Sequence, residues 1–142
     1  MIFPLLLAVR VALLAAVATL ATATASQSAG DPSANAVQRT HRGEQIYTRC
    51  LACHALAYDR VGPRHCGLIG RRAGSVPGFD YSAAMKKSGI IWNEATLNRF
   101  LASPLKMVPG STMTYDGVPN AGERADLIVY LKKAGESAEC RK

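Results

Sequence analysis

The sequence lacks the alternating runs of Val, Ile and Thr that form β-strands, and no internal repeat or low-complexity block follows residue 38. Helical patterns are present instead, within 41–54, 82–89, 92–104 and 120–135. Long loops rich in Gly and Pro separate them. Four short helices leave a thin apolar core, so we expect an all-α domain built around a large flat cofactor.

Long runs of basic residues are also missing. The chain carries 17 Lys and Arg against 10 Asp and Glu, a net charge of +7, but no run of Lys and Arg exceeds two residues. The positive charge is therefore scattered, which disfavours a nucleic-acid groove. An anionic membrane surface or an acidic protein remains as a partner.

Residues 1–25 are mainly apolar, carry one charged side chain at Arg10 and end in Ala-Thr-Ala. This pattern predicts a signal peptide that is cleaved after this triplet, so we expect a periplasmic protein. An uncleaved membrane anchor is the alternative, although the apolar run 11–25 falls short of the ~20 residues that span a bilayer. Residues 26–38 are predicted to form a flexible segment before a single domain at 39–142.

Cysteine and histidine are scarce, with four and three residues in the chain, yet three of them fall within the motif CLACH. A zinc site needs a second close pair of ligands, and Cys66 and Cys140 stand apart from each other in the sequence. A thioredoxin-type site needs a preceding strand, and a lone disulfide between Cys50 and Cys53 would leave His54 unexplained.

The spacing C-x-x-C-H is instead typical of covalent haem attachment. Cysteines three residues apart on a helical turn lie on one face, where both can form thioethers with the two vinyl groups of one porphyrin. The histidine that follows can then ligate the iron. We therefore predict one haem c bound through Cys50 and Cys53, with His54 as the proximal ligand.

The sixth ligand of the iron decides what such a haem does. An open position suits peroxidase or gas-binding chemistry, whereas a second strong ligand suits electron transfer, and a thioether raises the reduction potential. Met113 is favoured over Met107 because it follows a Pro-Gly turn that can hold a thioether in place. Met85 is better explained as a packing residue, and His41 and His65 remain as bis-histidine alternatives.

Five segments, CLACH, VGPRHCGLIGRRAG, PGFDYSAAMKKSGIIW, VPGSTM and GERADLIVYLKKA, follow one another in the order found in a known family. Together they resemble the class I mono-haem cytochromes c of mitochondria and the bacterial periplasm, from Gly43 to Ala134. The resemblance implies about four short helices and long loops wrapped around one covalent haem c. It also implies that Met113 is the sixth ligand and that Met107 packs in the core.

The resemblance assigns further roles around the haem. It implies that the Pro63 carbonyl orients the His54 imidazole and that the Ser111 hydroxyl braces the loop of the methionine ligand. Three more residues match positions that bond the haem propionates: Arg71, Tyr81 and Trp92.

The resemblance also places a helix crossing. Gly43 and Tyr47 match the positions where the N-terminal helix crosses the C-terminal one, against Leu127 and Tyr130. A glycine there lets the two backbones approach closely.

The chain departs from the family pattern at three positions. Phe100 stands where many relatives have a tyrosine whose hydroxyl reaches toward the ligand, so we expect an altered potential and altered dissociation of Met113. Met85 replaces a common asparagine near a propionate. Cys66 takes a position that lies near the C-terminal tail in the family, so the resemblance implies a disulfide between Cys66 and Cys140.

The function that the resemblance implies is that of a soluble, monomeric, non-enzymatic periplasmic carrier of one electron, with no role for nucleic acid. Its expected partners are redox proteins that dock transiently at the haem edge: a membrane cytochrome complex, a terminal oxidase, a reaction centre or a periplasmic dehydrogenase. The basic residues expected to steer such partners are Arg49, Lys86, Lys87, Lys106 and Lys132. The alternative is a haem-based sensor or peroxidase in which Met113 leaves the iron.

Overall fold

The protein is described by a computed structural model that covers residues 31–141. The predicted signal peptide and the first residues of the predicted flexible segment lie outside this range. Within it the structure has five α-helices: α1 (Pro32–Tyr47), α2 (Ala83–Lys87), α3 (Glu94–Ala102), α4 (Pro104–Met107) and α5 (Ala121–Gly135). The only β-type contact among these residues is an isolated bridge between Arg72 and Ile91. The prediction of an all-α fold is therefore confirmed.

The start of α1 corrects the prediction of a flexible segment at 26–38. The helix begins at Pro32, so the last seven residues of that segment are helical. Asp31 caps the helix by accepting a hydrogen bond from the N–H of Ser33 at 2.9 Å. Proline is favoured at the first helical position because the N–H that it lacks would have no partner there. The Asp-Pro pair therefore starts a helix despite the small polar residues that follow.

The crossing of α1 and α5 lies where the resemblance placed it. A Cβ added to Gly43 would lie 2.1 Å from the carbonyl oxygen of Asp126, so only glycine allows this approach of the two backbones. Next to it, the rings of Tyr47 and Tyr130 pack with their centroids 5.1 Å apart. Leu127 is 1% exposed and fills the centre of the contact.

Two ion pairs connect α1 and α5 at the same crossing. The Nε atoms of Arg39 and Arg42 donate to the two carboxylate oxygens of Asp126, at 2.8 and 2.6 Å. The Asp126 side chain is only 13% exposed, so its charge is largely withdrawn from water and balanced by the two guanidinium groups. Both arginines lie on α1, which ties this helix to α5.

Only Ser103 separates the helices α3 and α4. Asn93 and Thr96 form a capping box at the start of α3. The sequence does not predict the short α4, which begins at Pro104, the last residue of the predicted helical segment 92–104. Proline is equally suited to open a helix, and here it does so.

No helix among residues 31–141 has the length and apolar character needed to cross a membrane.

Candidate haem site

A cavity of about 430 Å³ lies between the loops and the helices of the domain. Cys50, Cys53, His54 and Met113 all line it, although Met113 is about sixty residues away in the sequence. The remaining walls include apolar side chains of α2, α3 and α5: Met85, Leu97, Phe100, Leu101, Leu127 and Leu131. The cavity is thus a mainly apolar pocket with a few converging polar groups, which is typical of a cofactor site.

The predicted helical segment 41–54 would include the CLACH motif. In the structure, however, this motif does not continue α1. The α-helix ends at Tyr47 and tightens into a 3₁₀ turn, Thr48–Cys50. The N–H groups of Cys53 and His54 then donate to the carbonyl of Cys50, at 3.0 and 2.9 Å. This turn keeps both cysteines and the histidine at one wall of the cavity, and the two cysteines are not bonded to each other.

The His54 imidazole is held in one orientation. Its Nδ1 lies 2.7 Å from the carbonyl oxygen of Pro63. A carbonyl only accepts, so Nδ1 carries the proton and Nε2 keeps its lone pair. Burial lowers the pKa of His54, against the opposing effect of this hydrogen bond, so the ring is neutral and able to ligate a metal. A Cβ added to Gly62 would lie 2.3 Å from Cε1, so the chain leaves room for no side chain there.

A second imidazole, that of His65, lies against the first. The two rings are stacked, with their centroids 4.3 Å apart and their planes 21° from parallel. Two ligands on opposite sides of one iron would face each other through the metal, so this stacked contact argues against His65 as the sixth ligand. His41 is exposed on α1 and does not line the cavity. Burial, and then the electrostatic effects of His54 and Arg71, lower the pKa of His65 to about 3.

The loop of Met113 is built by a tight turn. Gly110 has a φ of 85°, a left-handed conformation that favours glycine. The hydroxyl of Ser111 then accepts a hydrogen bond from the N–H of Met113 at 3.2 Å. Met107 packs against the core and does not line the cavity, whereas Met85 is buried in α2 and forms part of the wall.

The residues predicted to bond propionates lie together on the cavity wall: Arg71, Tyr81 and Trp92. The Arg71 guanidinium donates to the carbonyls of Cys66 and Arg64, both at 2.9 Å. Its Nε is buried and has no hydrogen-bond partner. An unpaired buried donor costs about 1–3 kcal/mol, so an anionic group bound beside Arg71 would relieve it. The donor set, the apolar walls and this free N–H fit a haem with its propionates.

Comparison with known proteins identifies the family. A cytochrome c2 from Rhodomicrobium vannielii is 41% identical over 117 residues, which cover 80% of this chain and 87% of that protein. A cytochrome c2 from Rhodoblastus acidophilus is 40% identical over 108 residues, which cover 74% of this chain and 94% of that protein. The chain belongs to the class I mono-haem cytochromes c. It carries a single covalently attached haem c and acts as an electron carrier.

The fold of this cytochrome agrees with a solved structure of the same family. Cytochrome cH from Methylobacterium extorquens superposes with a TM-score of 0.65 and 39% sequence identity, over 66% of this chain and 97% of that one. No family model matches the chain.

The other two cysteines of the cytochrome do not line the cavity. The structure joins Cys66 to Cys140 of the 3₁₀ turn Ala138–Arg141, with their Cα atoms 5.2 Å apart. The pair therefore lies apart from the CLACH cysteines, and no group of three or more His, Cys, Asp or Glu among residues 31–141 could hold a metal ion.

The five basic residues predicted around the haem edge differ in their surroundings. Three are paired with carboxylates: Arg49 with Glu123, Lys86 with Asp80 and Lys132 with Glu94. Lys87 and Lys106 make no ion pair within the described part of the chain. Arg49 is the member of the set that lines the cavity.

Proposed function

We propose that this cytochrome is a soluble periplasmic one-electron carrier whose haem is bound through thioethers to Cys50 and Cys53. His54 and Met113 would hold its iron. The observation that carries the proposal is that both candidate ligands line one apolar cavity and that each is held by a hydrogen bond away from its ligating atom. These bonds join His54 Nδ1 to Pro63 and the Met113 N–H to Ser111.

When bound, the haem would supply an iron that accepts and releases one electron. The chain contributes rigidity and a dry environment. Gly62 and Pro63 restrict the imidazole, and the Gly110 turn restricts the thioether. Leu97 and Leu127, which are 4% and 1% exposed, help to exclude water from the cavity. Restricted ligands and excluded water favour fast electron transfer over ligand exchange.

The polar wall of the cavity is proposed to bind the propionates. Arg71 supplies its free Nε, while Tyr81 and Trp92 supply an O–H and an N–H. Propionates held by fixed donors keep their charge inside the protein and contribute to the reduction potential.

The partners are proposed to be acidic redox proteins of the periplasm: a membrane cytochrome complex, a terminal oxidase, a reaction centre or a dehydrogenase. The net charge of +7, of which Arg10 in the predicted leader contributes one charge, supports electrostatic steering, with Lys87 and Lys106 as the residues that carry no competing ion pair in the described range. The apolar leader with its small-residue end supports export, and a Cys66–Cys140 disulfide would persist in that oxidising compartment.

A second candidate function, a sensor or peroxidase with a labile methionine, is favoured by Phe100. This side chain lines the cavity and its ring lies 4.9 Å from that of Trp92. A phenylalanine has no hydroxyl with which to hold the thioether. Met113 therefore has one restraint fewer than in relatives with a tyrosine at this position.

Carbon monoxide binding to the reduced mature protein separates the two functions. The carrier predicts slow or absent binding at neutral pH, because Met113 keeps its position. A rapid and complete spectral change would show that the methionine leaves readily, and it would replace the carrier with the sensor or peroxidase.

A further inference from the structure

The proximal wall of the cavity contains a polar pair that the proposed ligand set does not use. The hydroxyl oxygen of Tyr47 lies 3.0 Å from Nδ1 of His65, and the His65 ring is stacked on that of His54. Tyr47 is only 2% exposed, so its hydroxyl is withdrawn from bulk water. Buried polar groups are normally hydrogen-bonded, and here the two side chains satisfy each other.

Both members of the pair are anchored by their own surroundings. Tyr47 is the last residue of α1, and its ring packs against Tyr130 of α5 at the helix crossing. The backbone N–H of His65 donates to the carbonyls of Ala55 and Leu56, at 3.1 and 3.0 Å. The His65 backbone is therefore anchored in its loop, and the His65 ring is held by the Tyr47 hydroxyl at the α1–α5 crossing.

We propose that Tyr47 and His65 are positioning residues that fix the plane of the His54 ring and thereby tune the reduction potential. This inference rests on the proposed function, in which His54 ligates the iron. The Pro63 carbonyl restrains the edge of the His54 ring at Nδ1, and the stacked His65 restrains its face. Neither restraint replaces the other, because a single hydrogen bond leaves rotation about its own axis possible.

The pair also sets the polarity next to the ligand. Fe(III) carries one more positive charge than Fe(II), and polar neighbours stabilise the more highly charged state. Replacement of His65 or of the Tyr47 hydroxyl by hydrocarbon removes such neighbours and should favour Fe(II). The expected change is therefore a higher reduction potential.

The test compares two single-atom deletions at the same helix crossing. Tyr47→Phe removes the hydroxyl bonded to His65, and Tyr130→Phe removes the hydroxyl of the neighbouring ring without touching that bond. For each haem-loaded variant, a redox titration gives the potential, and proton NMR of the ferric form gives the resonances of the haem methyls, which depend on the orientation of the axial ligand. We expect Tyr47→Phe to raise the equilibrium constant for reduction about threefold and to move these resonances, while Tyr130→Phe stays close to the wild type.

A third variant tests whether the effect passes through His65. His65→Leu should raise the potential at least as much as Tyr47→Phe does. The reduction potential of the double variant should exceed that of His65→Leu by less than the full effect of Tyr47→Phe, because the effects of residues that act through one contact are not additive. If His65→Leu fails to fold, the contrast between Tyr47→Phe and Tyr130→Phe decides alone.

The inference is overturned if Tyr47→Phe and Tyr130→Phe give the same potential and the same resonances. It is also overturned if His65→Leu lowers the midpoint of unfolding but leaves the reduction potential unchanged. A wild-type spectrum without histidine and methionine ligation would instead reject the proposed function, so the two failures are distinguishable.

Discussion

At the scale of single residues, the two candidate iron ligands, His54 and Met113, are restrained in the same way. Each is restrained through an atom that does not bind iron: Nδ1 in His54 and the backbone N–H in Met113. The partners of these atoms, the Pro63 carbonyl and the Ser111 hydroxyl, lie within the same loops as the ligands. Such contacts fix the direction of a ligand without competing for its electron pair.

Substitution of Met113 should change the properties of the iron, whereas substitution of Met107 should not. Met113→Leu keeps the approximate volume but removes the thioether, so we expect the potential to fall by at least ~59 mV, a tenfold change in the one-electron equilibrium constant. The reduced variant should also bind carbon monoxide rapidly. Met107→Leu is the matched control, because Met107 packs outside the cavity, and it should retain the wild-type potential. A Met107→Leu variant that binds carbon monoxide would contradict the assignment.

The sequence was sufficient for residues whose role depends on local spacing, and less so for contacts made across the fold. The C-x-x-C-H spacing predicts Cys50, Cys53 and His54 directly. His65 was left as a ligand alternative, because its stacking on His54 depends on how the intervening loop turns back. The sequence does not predict the unpaired Nε of Arg71 either, because this depends on which groups the other guanidinium nitrogens bind.

At the scale of elements, the contact between α1 and α5 supports the proximal side of the cavity. Sequence patterns predict the cores of both helices, and the resemblance predicts their crossing at Gly43. The Asp31–Pro32 start of α1 was missed because the residues that follow lack an apolar face. This extra length brings Arg39 into helical register with Arg42, so that both reach Asp126.

The two arginines give Asp126 a pH-dependent role in stability. Burial alone would raise the pKa of Asp126, but the hydrogen bonds from Arg42 and Arg39 together leave its pKa below the ordinary 3.8. The contribution of the carboxylate is therefore present above that value and is lost as the pH falls through the lower folded pKa. Asp126→Asn should cost about 1–3 kcal/mol at neutral pH, and the difference from the wild type should shrink at a pH below 3.8.

Urea unfolding at the two pH values measures this change. Glu94→Gln is the matched control, because it makes the same chemical change in an exposed pair with Lys132, where a salt bridge contributes little. Equal losses in both variants, or a loss in Asp126→Asn that does not depend on pH, would reject the role of the buried carboxylate.

At the scale of the whole molecule, two covalent links would hold a chain whose helices are short. The haem thioethers join the end of α1 to the cofactor, and the Cys66–Cys140 link joins the loop after the haem motif to the turn that follows α5. Only the relation between Cys66 and the tail, implied by the resemblance, indicated this second link. The two cysteines are 74 residues apart, and sequence spacing alone does not specify such a pairing.

The disulfide should stabilise the domain without acting on the iron. Closing a loop of this length contributes at most about 4 kcal/mol, and the haem crosslink already restricts the unfolded chain, so the measured loss in a Cys66→Ser, Cys140→Ser double variant should be smaller. Unfolding in denaturant gives this loss, and the potential of the variant should match that of the wild type. Mass spectrometry after alkylation is the independent check, and two alkylated thiols in the untreated native protein would show that the link is absent.

The most direct measurement for the electron-carrier function is a redox titration of the mature protein that is monitored through its absorption spectrum. We predict one reversible one-electron wave, with low-spin haem in both oxidation states and the absorption band of methionine-ligated Fe(III) in the oxidised form. A high-spin spectrum in either state, or a protein without haem absorbance after expression with its maturation machinery, would contradict a haem held by His54 and Met113.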